Sequence, residues 1–282
     1  MAKGPIILSL ALGVGITMTS MSAMAGEDSK LVIDGQEFVT KTEAPDHLKD
    51  NLDEIYSGWV FRSDETQALQ LDDFDNPAFV FIDQATEQFD VKEGSANKAC
   101  ADCHSGVEDF KGLRAMIPRV KDGKLQTMED QINQCRTEQM GAEPWKWGGA
   151  TMQSMVALIG LQSRGMPMNV KIDGDAKPFW EKGKEIYYTR HGQLDMACAN
   201  CHEDNYGNNI RADHLSQGQL NGFPTYRLKN AKLNSVHDRL FGCIRDVRAE
   251  PYKVGSDAFR ALELYVSSRG NGLTIETPAV RN

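Results

Sequence analysis

Cys198-Ala-Asn-Cys201-His202 decides the fold, because the same pattern stands earlier in the chain as Cys100-Ala-Asp-Cys103-His104. Cys-x-x-Cys-His is the attachment sequence of a c-type haem. The two thiols add to the two vinyl groups, and the histidine one residue on is set under the iron. A zinc site would need a second pair of ligands, and a redox disulfide needs no histidine. Two copies in one exported chain therefore predict covalent haem, held by Cys100 and Cys103 and by Cys198 and Cys201, with His104 and His202 as iron ligands.

The flanks of the two motifs repeat as well. Each motif is followed by a lone cysteine, Cys135 or Cys243. Next comes Glu143-Pro144-Trp145-Lys146 or Glu250-Pro251-Tyr252-Lys253, then a helical pattern, then Ser163-Arg164-Gly165 or Ser268-Arg269-Gly270. A fixed order of features met twice is the signature of a duplicated unit. The expected fold is mainly α: two tandem cytochrome c-like domains related by internal duplication. Met152, Met155, Val156 and Ile159 give one apolar helix face in the first copy. Phe259, Leu262, Tyr265 and Val266 give it in the second, behind a Ser256 N-cap.

The boundaries follow. Lys3, the apolar run Ile6 to Met18 and Ala23-Met24-Ala25 read as a secretory signal over residues 1–25. Residues 26–75 are an acidic extension, expected to wrap the first domain or face a partner. The first domain spans 76–165, and a linker with Pro167 and Gly174 spans 166–177. The second, catalytic domain spans 178–282. A chain of 282 residues with 40% apolar and 25% charged residues is long enough for two cores. Its net charge of −9 argues against general nucleic-acid binding. No second apolar run of spanning length follows the signal, so the mature protein is expected in the periplasm without a membrane span.

The sixth iron ligands are less constrained by pattern. In the first half, Met116, Met128, Met140 and Met166 compete with Cys135. In the second half no methionine follows His202, which leaves His214, His237 and Cys243. The two histidines are expected on the surface. A disulfide between Cys135 and Cys243 is the competing use of the two thiols, and the repeat argues against it. Around Cys243 the charge reverses: Arg227 to Arg248 holds six Lys or Arg and two Asp. Arg239 stands four residues before Cys243, so on a helix the two share a face. Arginines can lower a thiol pKa and hold a sulfur oxyanion by paired hydrogen bonds. They could equally be haem propionate partners or a solvated basic face.

The two haem motifs, Cys135 in Gln-Cys-Arg-Thr-Glu, and Gly-Cys243-Ile-Arg-Asp-Val-Arg-Ala-Glu-Pro-Tyr resemble SoxA, the dihaem subunit of the SoxAX cytochrome of bacterial sulfur oxidation. The resemblance covers nearly all of the mature chain. It implies two haem c groups with His/Cys axial pairs, His104 with Cys135 and His202 with Cys243. It implies a persulfide on Cys243 during turnover, substrate bound by Arg239, and Arg245 and Arg248 as further candidates. It also implies a heterodimer with a SoxX-like monohaem cytochrome, a SoxYZ-like carrier protein whose cysteine receives thiosulfate, and a cytochrome c electron acceptor. The activity so implied is that of an L-cysteine S-thiosulfotransferase. The alternatives are a dihaem thiosulfate dehydrogenase forming tetrathionate and a pure electron-transfer cytochrome.

Overall fold

Hydroxyl caps and apolar spacing set the helices. The computed structural model describes Met1 and residues 30–211 and 213–282, so the expected secretory signal lies outside the described residues. Within them are eight α-helices: α1 Asp64–Ala68, α2 Phe79–Phe89, α3 Met128–Gln139, α4 Ala150–Leu161, α5 Lys177–Tyr188, α6 Cys198–His202, α7 Val236–Asp246 and α8 Asp257–Arg269. The strands are short: β1 Val32–Ile33, β2 Gln36–Glu37, β3 Lys41–Glu43, β4 Glu54–Tyr56, β5 Arg119–Lys121, β6 Lys124–Gln126, β7 Asn209–Ile210, β8 Asp213–His214, β9 Thr225–Arg227, β10 Lys232–Asn234 and β11 Ala279–Arg281. They pair into four two-stranded sheets and one three-stranded sheet of order β10-β9-β11. The architecture is helical with small strand elements. No helix among the described residues is long and apolar enough to cross a membrane.

The duplication is visible in three dimensions. In each half a hairpin, β5–β6 or β9–β10, leads straight into the helix that carries the lone cysteine. Both helices start on a hydroxyl cap. Thr127 accepts from the Asp130 amide to open α3, and Ser235 accepts from the Asp238 amide to open α7. The turn before each haem motif presses against the chain that leaves the same helix. Gly94 (φ +71) and Gly192 (φ +69) have no room for a Cβ, which would lie 2.2 Å from the Met140 carbonyl oxygen in one half and 2.2 Å from that of Val247 in the other.

Two cores support these units. Ile82, Ala85 and Phe89 of α2 pack with Met152, Met155, Val156 and Ile159 of α4. Ile186 and Tyr187 of α5 pack with Leu262, Tyr265 and Val266 of α8. The halves are not separate beads. Leu233 of β10 is buried in the first core, and the Tyr226 ring of β9 lies tilted against Phe81, 6.0 Å between ring centroids.

Two expectations change. The stretch 166–177 is not a free linker: Met168, Val170 and Ala176 are buried against Leu264 and Ile275. Met168 and Ile275 also exchange main-chain hydrogen bonds with the opposite segment, Met168 N–H to Leu273 and Ile275 N–H to Met166. The acidic extension covers the second half as well as the first: on the first, Arg164 donates to Asp73 at 2.5 and 2.8 Å and Gln36 donates to the Gly165 carbonyl at 3.1 Å. On the second, Asn51 donates to Tyr188 Oη at 2.8 Å, the Tyr56 amide donates to Gln217 Oε1 at 2.8 Å, and Arg62 reaches Asp213 at 2.6 Å. Its acidic composition gave no pointer to the second half.

Candidate haem sites and the thiol on α7

On α7, Val236, His237 and Ile244 turn inward, while Arg239 and Cys243 lie one turn apart on another face. Cys243 is half-buried. His202, the last residue of α6, faces it, and Cys198 and Cys201 of the same helix lie beside it. The His202 ring is fixed from behind. Its Nδ1–H donates to the Ser216 carbonyl at 2.7 Å, which leaves Nε2 with a free lone pair. Gly218 (φ +77) lies flat on the ring; a Cβ there would stand 3.0 Å from His202 Nδ1 and 3.1 Å from Cγ.

This donor set fits a covalent haem. Two thiols sit one turn apart, an oriented imidazole presents Nε2, and a second thiol faces that imidazole.

Electrostatics separate the thiols. Burial pushes Cys198 up to about 12 and Cys100 up to about 11, and it also raises Cys201 and Cys135. Burial acts on Cys243 in the same sense. The Arg239 guanidinium and His202 outweigh it and bring the thiol down to about 7. Arg239 is held charged chiefly by Cys243 in return.

The first half carries the parallel arrangement without the arginine. Cys135 on α3 lies beside Cys100 and Cys103, and His104 packs on Phe110 with ring centroids 4.5 Å apart. One turn before Cys135 stands Gln131, which accepts from Arg119 at 3.1 Å. Arg136, next to Cys135, is engaged elsewhere: it pairs with Glu93, donates to the Glu143 carbonyl at 3.1 Å and lies 3.9 Å over the Trp145 ring. Each lone cysteine therefore meets its own motif, and all six cysteines are unpaired. Met128 and Met140 are core residues, 3% and 2% exposed.

Of the three arginines singled out from sequence, Arg239 is the half-buried one beside the thiol. Arg245 and Arg248 are exposed, Arg245 resting on Asp246 at 3.5 Å. His237 is not a surface residue: it is 1% exposed, because Trp147 stacks on it at 5.1 Å and 8°. Its Nδ1 accepts from the Gly255 amide at 3.0 Å, and Nε2 lies 3.1 Å from Glu263 Oε2. His214 is half-buried with Nδ1 donating to the Phe61 carbonyl at 3.2 Å. The structure adds three residues that pattern did not single out: Arg227 within reach of the thiol, Asp213 near Arg239, and Arg62 paired with Asp213. Arg227 stood inside the basic stretch, but no spacing rule tied it to Cys243.

Fold and site together define a c-type cytochrome with a duplicated domain. Residues 84–168 and 182–275 match the SoxA/TsdA cytochrome c domain. The chain is 56% identical over 280 residues to the L-cysteine S-thiosulfotransferase subunit SoxA of Rhodovulum sulfidophilum, covering 98% of each chain. It is 54% identical over 278 residues to the same subunit of Paracoccus pantotrophus, covering 96% of each. The crystal structure of SoxXA from P. pantotrophus superimposes with a TM-score of 0.89 at 57% identity, covering 90% of this chain and 99% of that one. The chain belongs to the SoxA family.

Proposed function

We propose that this chain is the haem-bearing, thiosulfate-coupling subunit of an L-cysteine S-thiosulfotransferase. The observation that carries the reading is the Cys243 thiol set between His202 and Arg239 and drawn down to about 7. A half-buried thiol with a lowered pKa has a reactive thiolate at neutral pH, and an adjacent guanidinium suits an anionic substrate.

The reaction balances as thiosulfate dianion plus a carrier-protein thiol giving a cysteine S-thiosulfonate, one proton and two electrons. Cys243 divides it into two steps. In the first, the sulfane sulfur bonds to Cys243 Sγ in a persulfide-type linkage with loss of two electrons. In the second, the carrier thiolate attacks that sulfur, and Cys243 leaves as thiolate. Arg239 neutralises the sulfonate end in both, with Arg245 and Arg248 available at the rim. Haem, when bound, supplies the one-electron route toward a cytochrome acceptor. Two haem c groups would be held, one by Cys100 and Cys103 with His104 and Cys135 as candidate iron ligands, the other by Cys198 and Cys201 with His202 and Cys243 as candidate iron ligands. The partners are a SoxX-like monohaem cytochrome in a heterodimer and a SoxYZ-like carrier, in the periplasm.

The test is turnover with and without the carrier, followed by intact mass of the carrier. Thiosulfonate on the carrier cysteine supports the reading; tetrathionate formed without carrier supports the thiosulfate dehydrogenase instead. Cys243→Met should keep a six-coordinate haem, because a thioether can bind iron, and should abolish coupling, because a thioether forms no persulfide. Near-normal coupling in that variant would reduce Cys243 to a ligand.

A further inference from the structure

Behind Cys243 lies a cluster of charge that the two-step reaction above leaves unused. Arg227, the last residue of β9, is 9% exposed. Its Nε donates to the main-chain oxygen of Asn282 at 2.7 Å, and its Nη2 lies 3.5 Å from Asp213 Oδ2. The other Asp213 oxygen accepts from Arg62 Nη1 at 2.6 Å, and Arg62 Nη2 donates to the His214 carbonyl at 2.7 Å. Arg239 is within electrostatic reach of Asp213, Arg227 and Cys243. Arg62 and Arg227 thus share the Asp213 carboxylate, and Arg227 and Arg239 lie within reach of the Cys243 thiol. Holding that much positive charge away from water is costly unless a further anion completes it.

That oxyanion could be a haem propionate or the sulfonate of a substrate, and the duplication acts as an internal control. Both halves carry the same attachment motif, so a partner of propionate should recur in both. Ile117-Pro118-Arg119-Val120-Lys121 corresponds to Phe223-Pro224-Thr225-Tyr226-Arg227: each is an apolar residue, a proline and a three-residue strand that opens the hairpin before the cysteine helix. The place of Arg227 is taken by Lys121, which is exposed, and the place of Arg239 by Gln131. Asp213 lies in the β7–β8 hairpin, inserted between His202 and β9; between His104 and β5 the first half has no hairpin. The first half keeps one guanidinium at that place, Arg119 on Gln131 at 3.1 Å, but has no counterpart of the Asp213 hairpin that gathers Arg62 and Arg227; the full cluster belongs to the half in which the thiol is activated, and a need common to both haems does not account for it.

We propose that Arg227 is a second arginine of the substrate site. With Arg239 it holds the sulfonate end of thiosulfate, leaving the sulfane sulfur toward Cys243. Asp213 and the Asn282 main-chain oxygen fix the Arg227 guanidinium, and Arg62 balances Asp213. Two planar donor forks suit a three-oxygen anion better than one. The inference rests on the thiosulfate-coupling reading above.

The test uses the haem-loaded complex with its partner cytochrome and compares wild type, Arg227→Gln and Arg227→Lys. Arg227→Gln should raise KM for thiosulfate by about tenfold or more, the effect of one lost charge-assisted hydrogen bond, with kcat changed far less. The inhibition constant of sulfate as a competing oxyanion should rise in parallel. Arg227→Lys, which keeps the charge and guards against a folding defect, should recover part of the loss. Haem content and both reduction potentials should stay at wild-type values. Unchanged KM with a shifted potential for one haem would make Arg227 a propionate partner and overturn the proposal. Unchanged KM and unchanged potentials would overturn it too. If wild type itself fails to couple thiosulfate to the carrier, the underlying reading fails first, and the two failures are told apart.

Discussion

Arg239→Gln converts the helix of the second thiol into a copy of the first, where Gln131 stands one turn before Cys135. In the first half burial wins and the thiol is raised; in the second the thiol falls from 9.0 to about 7. The opposing influences on Cys243 must therefore cancel burial and still win two further units, ~2.7 kcal/mol at 1.36 kcal/mol per unit. Arg239 is the largest of them, so its loss should cost at least about one unit and up to about two, a ten- to hundredfold change in proton affinity. The sign is clear: without the guanidinium the proton is held more tightly, so the thiolate is lost at a higher pH as pH falls. With Cys243 bound to iron as proposed, the metal would lower the absolute midpoint of both variants, and the difference between them would still report the guanidinium. Electron paramagnetic resonance across a pH series should show the thiolate-ligated low-spin signal of one haem disappearing about 1–2 units higher in Arg239→Gln than in wild type. The signal assigned to Cys135 should not move. A midpoint that shifts by less than about 0.3 unit would mean that Arg239 does not tune this thiol, and the comparison of the two helices would lose its force.

Cys135→Ser should remove one of two thiolate-ligated low-spin signals and leave the other intact; loss of both, or a Cys135–Cys243 disulfide in non-reduced peptide maps, would contradict the pairing of each cysteine with its own motif. Glu129→Gln should stabilise the protein at pH 8 and hardly at all at pH 4. Glu129 is 5% exposed, and burial, then Glu263, push its carboxyl from 4.5 up to about 7. The native state therefore keeps a proton that the unfolded chain gives up, and stability falls as pH rises from about 4.5 to about 7. Glutamine does not titrate, so the gain should approach ~3 kcal/mol at alkaline pH, read as a Tm increase of several degrees; equal gains at both pH values would refute it.

What was legible in the sequence was local. The haem motifs place three donors within five residues, and Thr127 and Ser235 cap their helices from inside the same turn. The one-turn spacing of Arg239 and Cys243 needs only helix geometry. The paired order of features gave the duplication before any fold was known. What was not legible depends on contacts between distant segments. His237 looked like an ordinary polar residue near a helix start, and it is buried because Trp147, far away in the chain, stacks on it. Arg62 and Asp213 carry no motif, and their 2.6 Å ion pair exists only because the extension folds over the second half. The stretch with Pro167 and Gly174 has the composition of a linker, but Met168 and Val170 are apolar and find a shared core with Leu264 and Ile275. Of the competing methionines, Met128 and Met140 are spent on the interior, while Met116 is exposed.

These distant contacts converge on α7. A thiol proposed to meet iron on one side and substrate on the other needs placement within a fraction of an ångström, yet the face that carries Arg239 and Cys243 must stay free of packing. The helix is held instead from its other face and its first turn. His237 is clamped between Trp147 and Phe259, takes the Gly255 amide, and lies against Glu263. Trp147 comes from the first half, as does Asp130, whose carboxylate receives Arg260 of α8 at 2.8 and 2.7 Å. Arg114, also from the first half and 4% exposed, donates to the carbonyls of Leu220 and Phe223 on the approach to β9. The first half therefore does more than repeat the second. It supplies the aromatic and ionic supports that fix α7 from behind, so its loss would disturb the position of Cys243 even if its own haem took no part in the reaction.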